Sequence, residues 1–126
     1  IIKKKPAFNI YGNNYKTPDK TPVRDYIHVS DLAEIHLKVL KKISLINKST
    51  ILNCGYGRGI SVLEALNAFK KYSKNKIKIV IKDRRAGDME KIVASNERLL
   101  KFTNWKPKYR NLNKIIKSCL KWEKKI

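Results

Sequence analysis

Apolar residues at helical spacing mark the longest predicted elements of this sequence. From residue 31 to about residue 42 they recur every three or four positions, which is typical of an amphipathic helix. The same spacing returns from residue 61 to about 72 and from about residue 112 onwards, with a shorter instance from 95 to about 102. The pattern therefore predicts four helices. We expect the apolar stripe of the last one to pack in the core; it consists of Ile115, Ile116, Cys119, Leu120 and Trp122.

Short apolar runs between these segments predict strands. Residues 8–11 form one run and are followed by a glycine-asparagine turn signal; residues 26–29 and 51–54 form two more. In residues 76–82 lysine alternates with isoleucine, as in a strand with one buried and one solvated face. The order of these elements indicates an α/β fold, or an α+β-like fragment, with short strands and about four helices. The sequence begins at Ile1 and not at methionine, and we expect it to be part of a longer protein.

Three of the predicted helix starts carry residues that can cap a helix. The hydroxyl of Ser30 can accept a hydrogen bond from the first turn of the first helix. Asp31 then adds negative charge at the positive end of the helix dipole. Ser61 and Glu64 have the spacing of a capping box, and Ser95 is the expected cap of the short third helix.

The net charge of +20 invites a nucleic-acid hypothesis. The lysines are spread along the whole chain, however, and no nucleic-acid-binding motif accompanies them. A free-standing basic module that binds anions or nucleic acid therefore remains the alternative from another functional class, and a nucleic-acid partner is disfavoured.

Cysteine and histidine usage indicates a reduced protein without a metal site. Cys54 and Cys119 lie in apolar patterns and lack metal-ligand spacing, so we expect both to be buried and structural. His28 and His36 are expected to be packed or surface residues for the same reason. No run is apolar enough to span a membrane and none resembles a signal peptide, so we predict a cytoplasmic protein with no membrane partner.

Arginines give the clearest sign of binding chemistry. Arg24 stands beside a predicted strand, and its planar guanidinium can hold two phosphate oxygens at once. A turn with Arg84 and Arg85 followed by Asp88 could hold a diphosphate and accept a ribose hydroxyl. A solvated ion-pair turn explains these three residues at least as well.

The glycine-rich stretch 55–59 lies between a predicted strand and a capped helix, as in dinucleotide-binding folds. The Gly-x-Gly-x-x-Gly fingerprint fails because residue 60 is isoleucine, so we predict a tight turn near a ligand and no cofactor site. Tyr72 and Lys76 have the spacing of a catalytic Tyr-x-x-x-Lys pair, but they fall where a helix ends.

Six motifs occur in a fixed order along nearly the whole chain. They are Tyr11-Gly12-Asn13, Tyr15-x-Thr17-Pro18-Asp19, Val23-Arg24-Asp25-Tyr26-Ile27-His28-Val29-x-Asp31-Leu32-Ala33, Asn53-x-Gly55-x-Gly57-x-Gly59-x-Ser61-Val62, Arg84-Arg85-x-Gly87-Asp88 and Trp105-x-Pro107. Together, in this order and spacing, they resemble the UDP-glucose 4-epimerases of the extended short-chain dehydrogenase/reductase superfamily.

The resemblance implies that residues 1–126 are the C-terminal UDP-sugar-binding region of a Rossmann-type, NAD-binding enzyme. About residues 51–72 would pack back on an N-terminal nucleotide-binding domain. The whole enzyme would be a homodimeric isomerase of galactose metabolism that interconverts UDP-glucose and UDP-galactose by transient oxidation at C4. Its Tyr-x-x-x-Lys pair and its NAD site would lie N-terminal to this chain. We therefore name no catalytic residue and expect the chain alone to be inactive.

The resemblance also implies a set of substrate-binding residues, which are Asn9, Tyr11, Arg24, Tyr26, Val62, Arg85, Asp88 and Ile92. Asn9 and Tyr11 would line the uracil pocket, with the ring of Tyr11 against the base. Arg24 and Arg85 would grip the diphosphate, and Asp88 would accept a hydrogen bond from a ribose hydroxyl.

Three further positions bear on the shape of the implied site. Tyr26 and Val62 would wall the nucleotide pocket, and Ile92 falls where side-chain size helps decide whether N-acetylated sugars fit. The family often has proline soon after the Gly-Asp of its arginine turn, whereas Met89 and Glu90 follow here. A related nucleotide-sugar epimerase, dehydratase or decarboxylase therefore remains an alternative.

Overall fold

Helices and short strands alternate along the chain in a computed structural model that describes residues 7–45, 47, 49–73 and 77–125. The helices in these residues are α1 (Val29–Leu40), α2 (Val62–Tyr72), α3 (Glu97–Thr103) and α4 (Leu112–Glu123), with a 3-10 turn at Ile43–Leu45. The strands are β1 (Ala7–Tyr11), β2 (Val23–Arg24), β3 (Ile60–Ser61), β4 (Lys78–Lys82) and β5 (Lys91–Ile92). The predicted α/β class with four helices is confirmed.

The two longest strands, β1 and β4, pair in parallel from Ala7 opposite Lys78 to Tyr11 opposite Lys82. Because side chains alternate along a strand, Asn9 and Tyr11 lie on one exposed face while Ile10 is buried on the other. Both strands were predicted from the apolar pattern.

A second sheet has the order β3-β2-β5, with β3 antiparallel and β5 parallel to β2. Its strands are only two residues long, and their register places Arg24 opposite Ile92. The backbone is further tied by a bond from the Val23 N–H to the Glu90 carbonyl. This sheet brings residues near position 24 and residues near position 90 side by side.

Two apolar clusters form the core. One contains the buried residues Ile35, Tyr56, Leu99 and Trp105 and joins α1, α3 and the glycine-rich turn. The other contains Ile10, Leu66 and Ile77 and joins the β1–β4 pair to α2. The two clusters pack against one side of the strands. The loops after β1, β2 and β4 are therefore supported by core residues.

The capping predictions had mixed outcomes. The side chain of Ser61 accepts a bond from the Glu64 N–H at 3.0 Å and begins α2 as predicted. Ser30 is not the cap of α1: the helix starts at Val29, two residues earlier than predicted, and Nδ1 of its cap His28 accepts from the Ser30 N–H at 3.0 Å. The cap of α3 is Asn96 and not Ser95, and it makes no side-chain capping bond.

Two predicted strands and the predicted burial of two residues are wrong. Residues 26–29 run from irregular backbone into the start of α1, and the nearby strand is Val23–Arg24. Residues 51–54 form no strand in this chain because no neighbouring strand pairs with them among the described residues. Cys119 is exposed on α4, whereas Cys54 is half-buried; both thiols are free. Trp122, placed in the same core stripe, is 63% exposed.

Candidate functional site

Four of the predicted binding residues form one connected group, which we call the arginine cluster: Tyr11, Arg24, Arg85 and Asp88. Tyr11 ends β1, Arg24 ends β2, and the other two lie in the turn after β4. The two sheets therefore supply one side of the cluster each. Sequence positions that are far apart meet at the same edge of the fold.

Arg24 is held by backbone groups. Its Nη1 donates to the Val23 carbonyl at 2.8 Å and to the Met89 carbonyl at 3.0 Å. Its Nη2 lies 3.9 Å from Oδ1 of Asp88. The guanidinium is thus fixed in orientation while remaining partly exposed to solvent, as binding of an anion requires.

Arg85 and Asp88 form the centre of the cluster. Nε of Arg85 donates to Oδ2 of Asp88 at 2.8 Å, and the guanidinium carbon lies 4.6 Å from the centre of the Tyr11 ring. The hydrogen bond from Arg85 lowers the pKa of Asp88, and the charge of Arg24 acts in the same direction. The same hydrogen bond raises the pKa of Arg85. The cluster consequently holds two cations and one ionised carboxylate at neutral pH.

The backbone of this turn depends on Gly87. Its φ of +79° lies in the left-handed region, which glycine adopts without strain. The Asp88 N–H returns to the Arg85 carbonyl at 3.2 Å and closes the turn. This closure brings Arg85 and Asp88 onto the same side.

A second aromatic–arginine pair lies beside the cluster. The guanidinium of Arg84 stacks over the ring of Tyr15 at 4.1 Å, and Tyr15 is only 2% exposed. Sequence reasoning placed Tyr15 in a motif but gave it no role. The only available signal was its position four residues after Tyr11, because nothing local indicates that the ring turns back beneath residue 84.

The remaining predicted residues lie around the cluster and not within it. Asn9 is exposed on the same strand face as Tyr11, and Ile92 is 48% exposed opposite Arg24. Tyr26 and Val62 line a separate apolar cavity of about 230 Å³, together with Phe8, Ala65, Leu66, Phe69, Leu112, Ile115, Ile116 and Cys119. Burial raises the pKa of Tyr26, so this phenol is neutral at physiological pH.

Two backbone N–H groups of the glycine-rich turn are bonded within the chain. The Asp25 carboxylate accepts from the N–H groups of Tyr56, at 3.1 Å, and Gly57, at 2.9 Å. A Cβ on Gly55 would lie 2.5 Å from the same carboxylate, so glycine is required for this close approach. Asp25 thus has a structural role as acceptor of backbone N–H groups, and these two donors of the turn are not available to a phosphate.

Asp31 also has a structural role, and a larger one than its helix position suggested. It is fully buried and accepts from the Tyr56 hydroxyl at 2.6 Å and from the Tyr109 N–H at 2.9 Å. The Lys108 N–H lies 3.2 Å from both carboxylate oxygens. Burial, and then the bond to Asp31, raise the pKa of Tyr56, which keeps this hydroxyl a donor.

Two features are absent from the described residues. No group of three or more histidine, cysteine or acidic side chains is placed to hold a metal ion. None of the helices in these ranges has the length and apolar character needed to cross a membrane.

Comparison with known proteins gives a consistent assignment. The family model described as "NAD dependent epimerase/dehydratase family" matches residues 2–55. A UDP-glucose 4-epimerase of Azospirillum brasilense is 39% identical over all of this chain and 36% of its own length. The chain spans about a third of the length of the curated relatives it matches.

Solved structures agree in fold as well as sequence. The UDP-Glc/GlcNAc 4-epimerase of Campylobacter jejuni superposes with a TM-score of 0.84 at 39% identity, covering 98% of this chain and 37% of that one. The UDP-glucose 4-epimerase of Bifidobacterium longum, solved with NAD+ and UDP, gives 0.81 at 39% identity over 93% and 34%. Over nearly its whole length this chain is therefore similar to UDP-glucose 4-epimerases, and its residues 2–55 match the model of the NAD dependent epimerase/dehydratase family.

Proposed function

We propose that this chain is the C-terminal UDP-sugar-binding region of an NAD-dependent UDP-glucose 4-epimerase. The observation that carries the proposal is the arginine cluster, in which two guanidinium groups and one ionised carboxylate meet beside an exposed tyrosine ring. This combination is complementary to a nucleoside diphosphate. The guanidinium groups match its anionic oxygens, the carboxylate matches a hydroxyl donor and the tyrosine ring matches a flat base.

Each ligand group has a matching protein group. Arg85 bonds to Asp88 through Nε, and its two terminal nitrogens are the donors that would bind the diphosphate, together with Arg24. Asp88, which has a lowered pKa, would accept a hydrogen bond from a ribose hydroxyl. Tyr11 would face the uracil, with Asn9 on the same side of the strand. Tyr26 and Val62, which line the neighbouring apolar cavity, would form one wall of the nucleotide site.

NAD would be bound by a part of the full-length protein outside these residues. The glycine-rich turn does not fit the cofactor, since its N–H groups at positions 56 and 57 are bonded to Asp25. NAD, when bound, supplies the hydride acceptor and donor at C4 of the sugar. The role of this chain would be to hold the diphosphate and the nucleoside, and alone it would be inactive.

The rest of the protein would cover an apolar surface of this chain. Large apolar side chains are exposed on and after α1, among them Leu37, Leu40, Ile43, Leu45 and Ile51. Such a patch is unusual on a free-standing domain. Ile51 begins the segment, about residues 51–72, that we propose packs back on a nucleotide-binding domain, and the neighbouring exposed residues support a covered surface there. A homodimeric state and a cytoplasmic location are part of the same proposal.

The identity of the sugar depends on the surroundings of Ile92. The relative from Campylobacter jejuni is named for both UDP-Glc and UDP-GlcNAc, which favours N-acetylated sugars as a second substrate class. Turnover of UDP-galactose, UDP-N-acetylgalactosamine and UDP-glucuronate by the full-length protein separates these possibilities. Turnover of UDP-glucuronate without UDP-galactose would favour a related nucleotide-sugar enzyme.

The phosphate assignment is tested by measuring UDP affinity calorimetrically in the full-length protein with Arg85→Ala. We expect a loss on the order of tenfold to a hundredfold, because a charge-assisted contact disappears. Arg110→Ala is the matched control: it removes the same charge from an exposed arginine outside the cluster and should leave the affinity unchanged. Equal affinities for the two variants would refute the assignment.

A further inference from the structure

We propose that Arg84 and Tyr15 are positioning residues that hold the turn of Arg85 and Asp88 in its binding geometry before any ligand arrives. The inference deepens the proposed function and rests on it. It assigns different roles to two adjacent arginines that look equivalent in sequence: Arg85 as the ligand-binding residue and Arg84 as its anchor.

Tyr15 provides a fixed base for the anchor. It is 2% exposed, and its hydroxyl donates to the Tyr11 carbonyl at 3.2 Å. Its backbone is tied to the loop that follows, through bonds with Thr17 and Lys20. The ring is therefore immobilised at both ends and connected directly to the strand that carries Tyr11.

Arg84 links this base to the turn. Its guanidinium carbon lies 4.1 Å from the centre of the Tyr15 ring, while Nη2 donates to the Asp88 carbonyl at 2.8 Å. The side chain of Arg84 thus bridges from the buried ring to the far end of the turn. Since Asp88 is held at its backbone, its carboxylate and the bonded Arg85 guanidinium are held with it.

The backbone around Tyr15 is fitted to this stacked pair. A Cβ on Gly12 would lie 2.6 Å from Cε2 of Tyr15 and 3.1 Å from Cβ of Arg84. Gly12 also has a φ of +85°, and its N–H donates to the Lys82 carbonyl at 2.8 Å. Only glycine lets the end of β1 pass this close to the pair.

The contacts of Arg84 are directed to the turn. One face of its guanidinium covers Tyr15 and Nη2 donates to the Asp88 carbonyl, so part of its donor set already serves to hold the turn. Arg85 keeps its two terminal nitrogens for a ligand while Nε is bonded to Asp88. The geometry therefore distinguishes an anchor from a ligand.

The test is a double-mutant cycle on UDP affinity in the full-length protein, with Arg84→Ala, Arg85→Ala and the double variant. If Arg84 acts through Arg85, Arg84→Ala should weaken UDP binding by about fivefold in the native background. A loss of this size is expected when a partly desolvated cation–π contact and its hydrogen bond are removed. In the Arg85→Ala background the same change should cost about twofold or less. Two direct ligands would instead give losses that multiply, and that result would overturn the proposal.

A second series varies the ring itself. Tyr15→Phe keeps the stacking surface and should retain most of the affinity, whereas Tyr15→Leu should reproduce the loss seen with Arg84→Ala. Wild-type affinity in a folded Tyr15→Leu protein would contradict the anchor role. The outcomes separate the two proposals: if Arg85→Ala itself has no effect, the phosphate site fails, but if only the Arg84 and Tyr15 variants have none, the anchor fails alone.

Discussion

The buried carboxylate of Asp31 offers a sharp test of what holds this chain together. It is fully buried and receives donors from three places: the Tyr56 hydroxyl, the Tyr109 N–H and the Lys108 N–H. It thereby joins the start of α1 to the glycine-rich turn and to the loop before α4. We consider the substitution Asp31→Asn, which keeps the shape and removes the charge.

The expected loss follows from the number and kind of these bonds. A hydrogen bond to a charged group contributes about 1.5–3 kcal/mol, and a buried donor left without a partner costs about 1–3 kcal/mol. Asparagine retains one oxygen and places an NH2 group against donors, so one bond is lost and the others become neutral. We expect the free energy of unfolding to fall by about 2–4 kcal/mol, a large part of the usual 5–15 kcal/mol of a domain.

Urea unfolding of the full-length protein, followed by far-UV circular dichroism, measures this loss as a lower midpoint. Glu34→Gln is the matched control: it makes the same chemical change one turn along α1, where Glu34 pairs with the exposed Lys108 Nζ at 2.9 Å. This solvated pair should contribute little. A midpoint for Asp31→Asn equal to that of Glu34→Gln would refute the reasoning.

Two further predictions concern stability. Leu99 is fully buried in the core cluster that contains Ile35 and Trp105. Leu99→Ala should therefore lower the unfolding free energy by about 2–5 kcal/mol through the cavity it leaves. A loss below about 1 kcal/mol in the same urea assay would contradict this packing. Burial tends to raise the pKa of Asp19, but bonds from Ser61 and Thr21 outweigh it and the pKa is lowered. Because the pKa of Asp19 is lower in the folded than in the unfolded state, its carboxylate stabilises the fold above the unfolded-state pKa, near 4. This stabilisation is lost as the pH falls through the folded-state pKa. The difference in urea midpoint between the native protein and Asp19→Asn should therefore be clear at pH 7 and shrink below about pH 4, whereas a constant difference would disprove the assignment.

Periodicity predicted the long elements because each has enough residues to show a repeat. The helix α2 starts and ends, and α4 starts, close to the predicted positions, and β1 and β4 were found from runs of four residues or more. Strands of two residues show no repeat, so the sheet at positions 23–24, 60–61 and 91–92 could not be predicted. The apolar run 51–54 reads as a strand, yet a strand requires a neighbour, and none pairs with it in the described residues.

The roles of the candidate binding residues stay predictions, and the bonds that connect some of them could not be predicted from the sequence. The resemblance selected Arg24, Arg85 and Asp88, which the structure brings together: Arg85 and Asp88 pair within one turn, and Arg24 approaches Asp88 from a distant part of the chain. The role of His28 as helix cap was missed because serine is the commoner capping residue, and an imidazole cap depends on which ring nitrogen lacks its proton. Tyr15 was missed because its partner, Arg84, is distant in sequence.

The pairing of strands that are distant in sequence also affects how this site forms during folding. The contact between Arg24 and the Met89 carbonyl spans 65 residues, and β1 meets β4 over a similar distance. Contacts of such long range are slow to form, because closing the loop between them costs entropy before the contact stabilises the chain. During synthesis, Tyr11 and Arg24 leave the ribosome long before the turn that completes their cluster. A ligand that bridges both sides would slow the separation of these strands, so nucleotide binding and resistance to local unfolding should rise together.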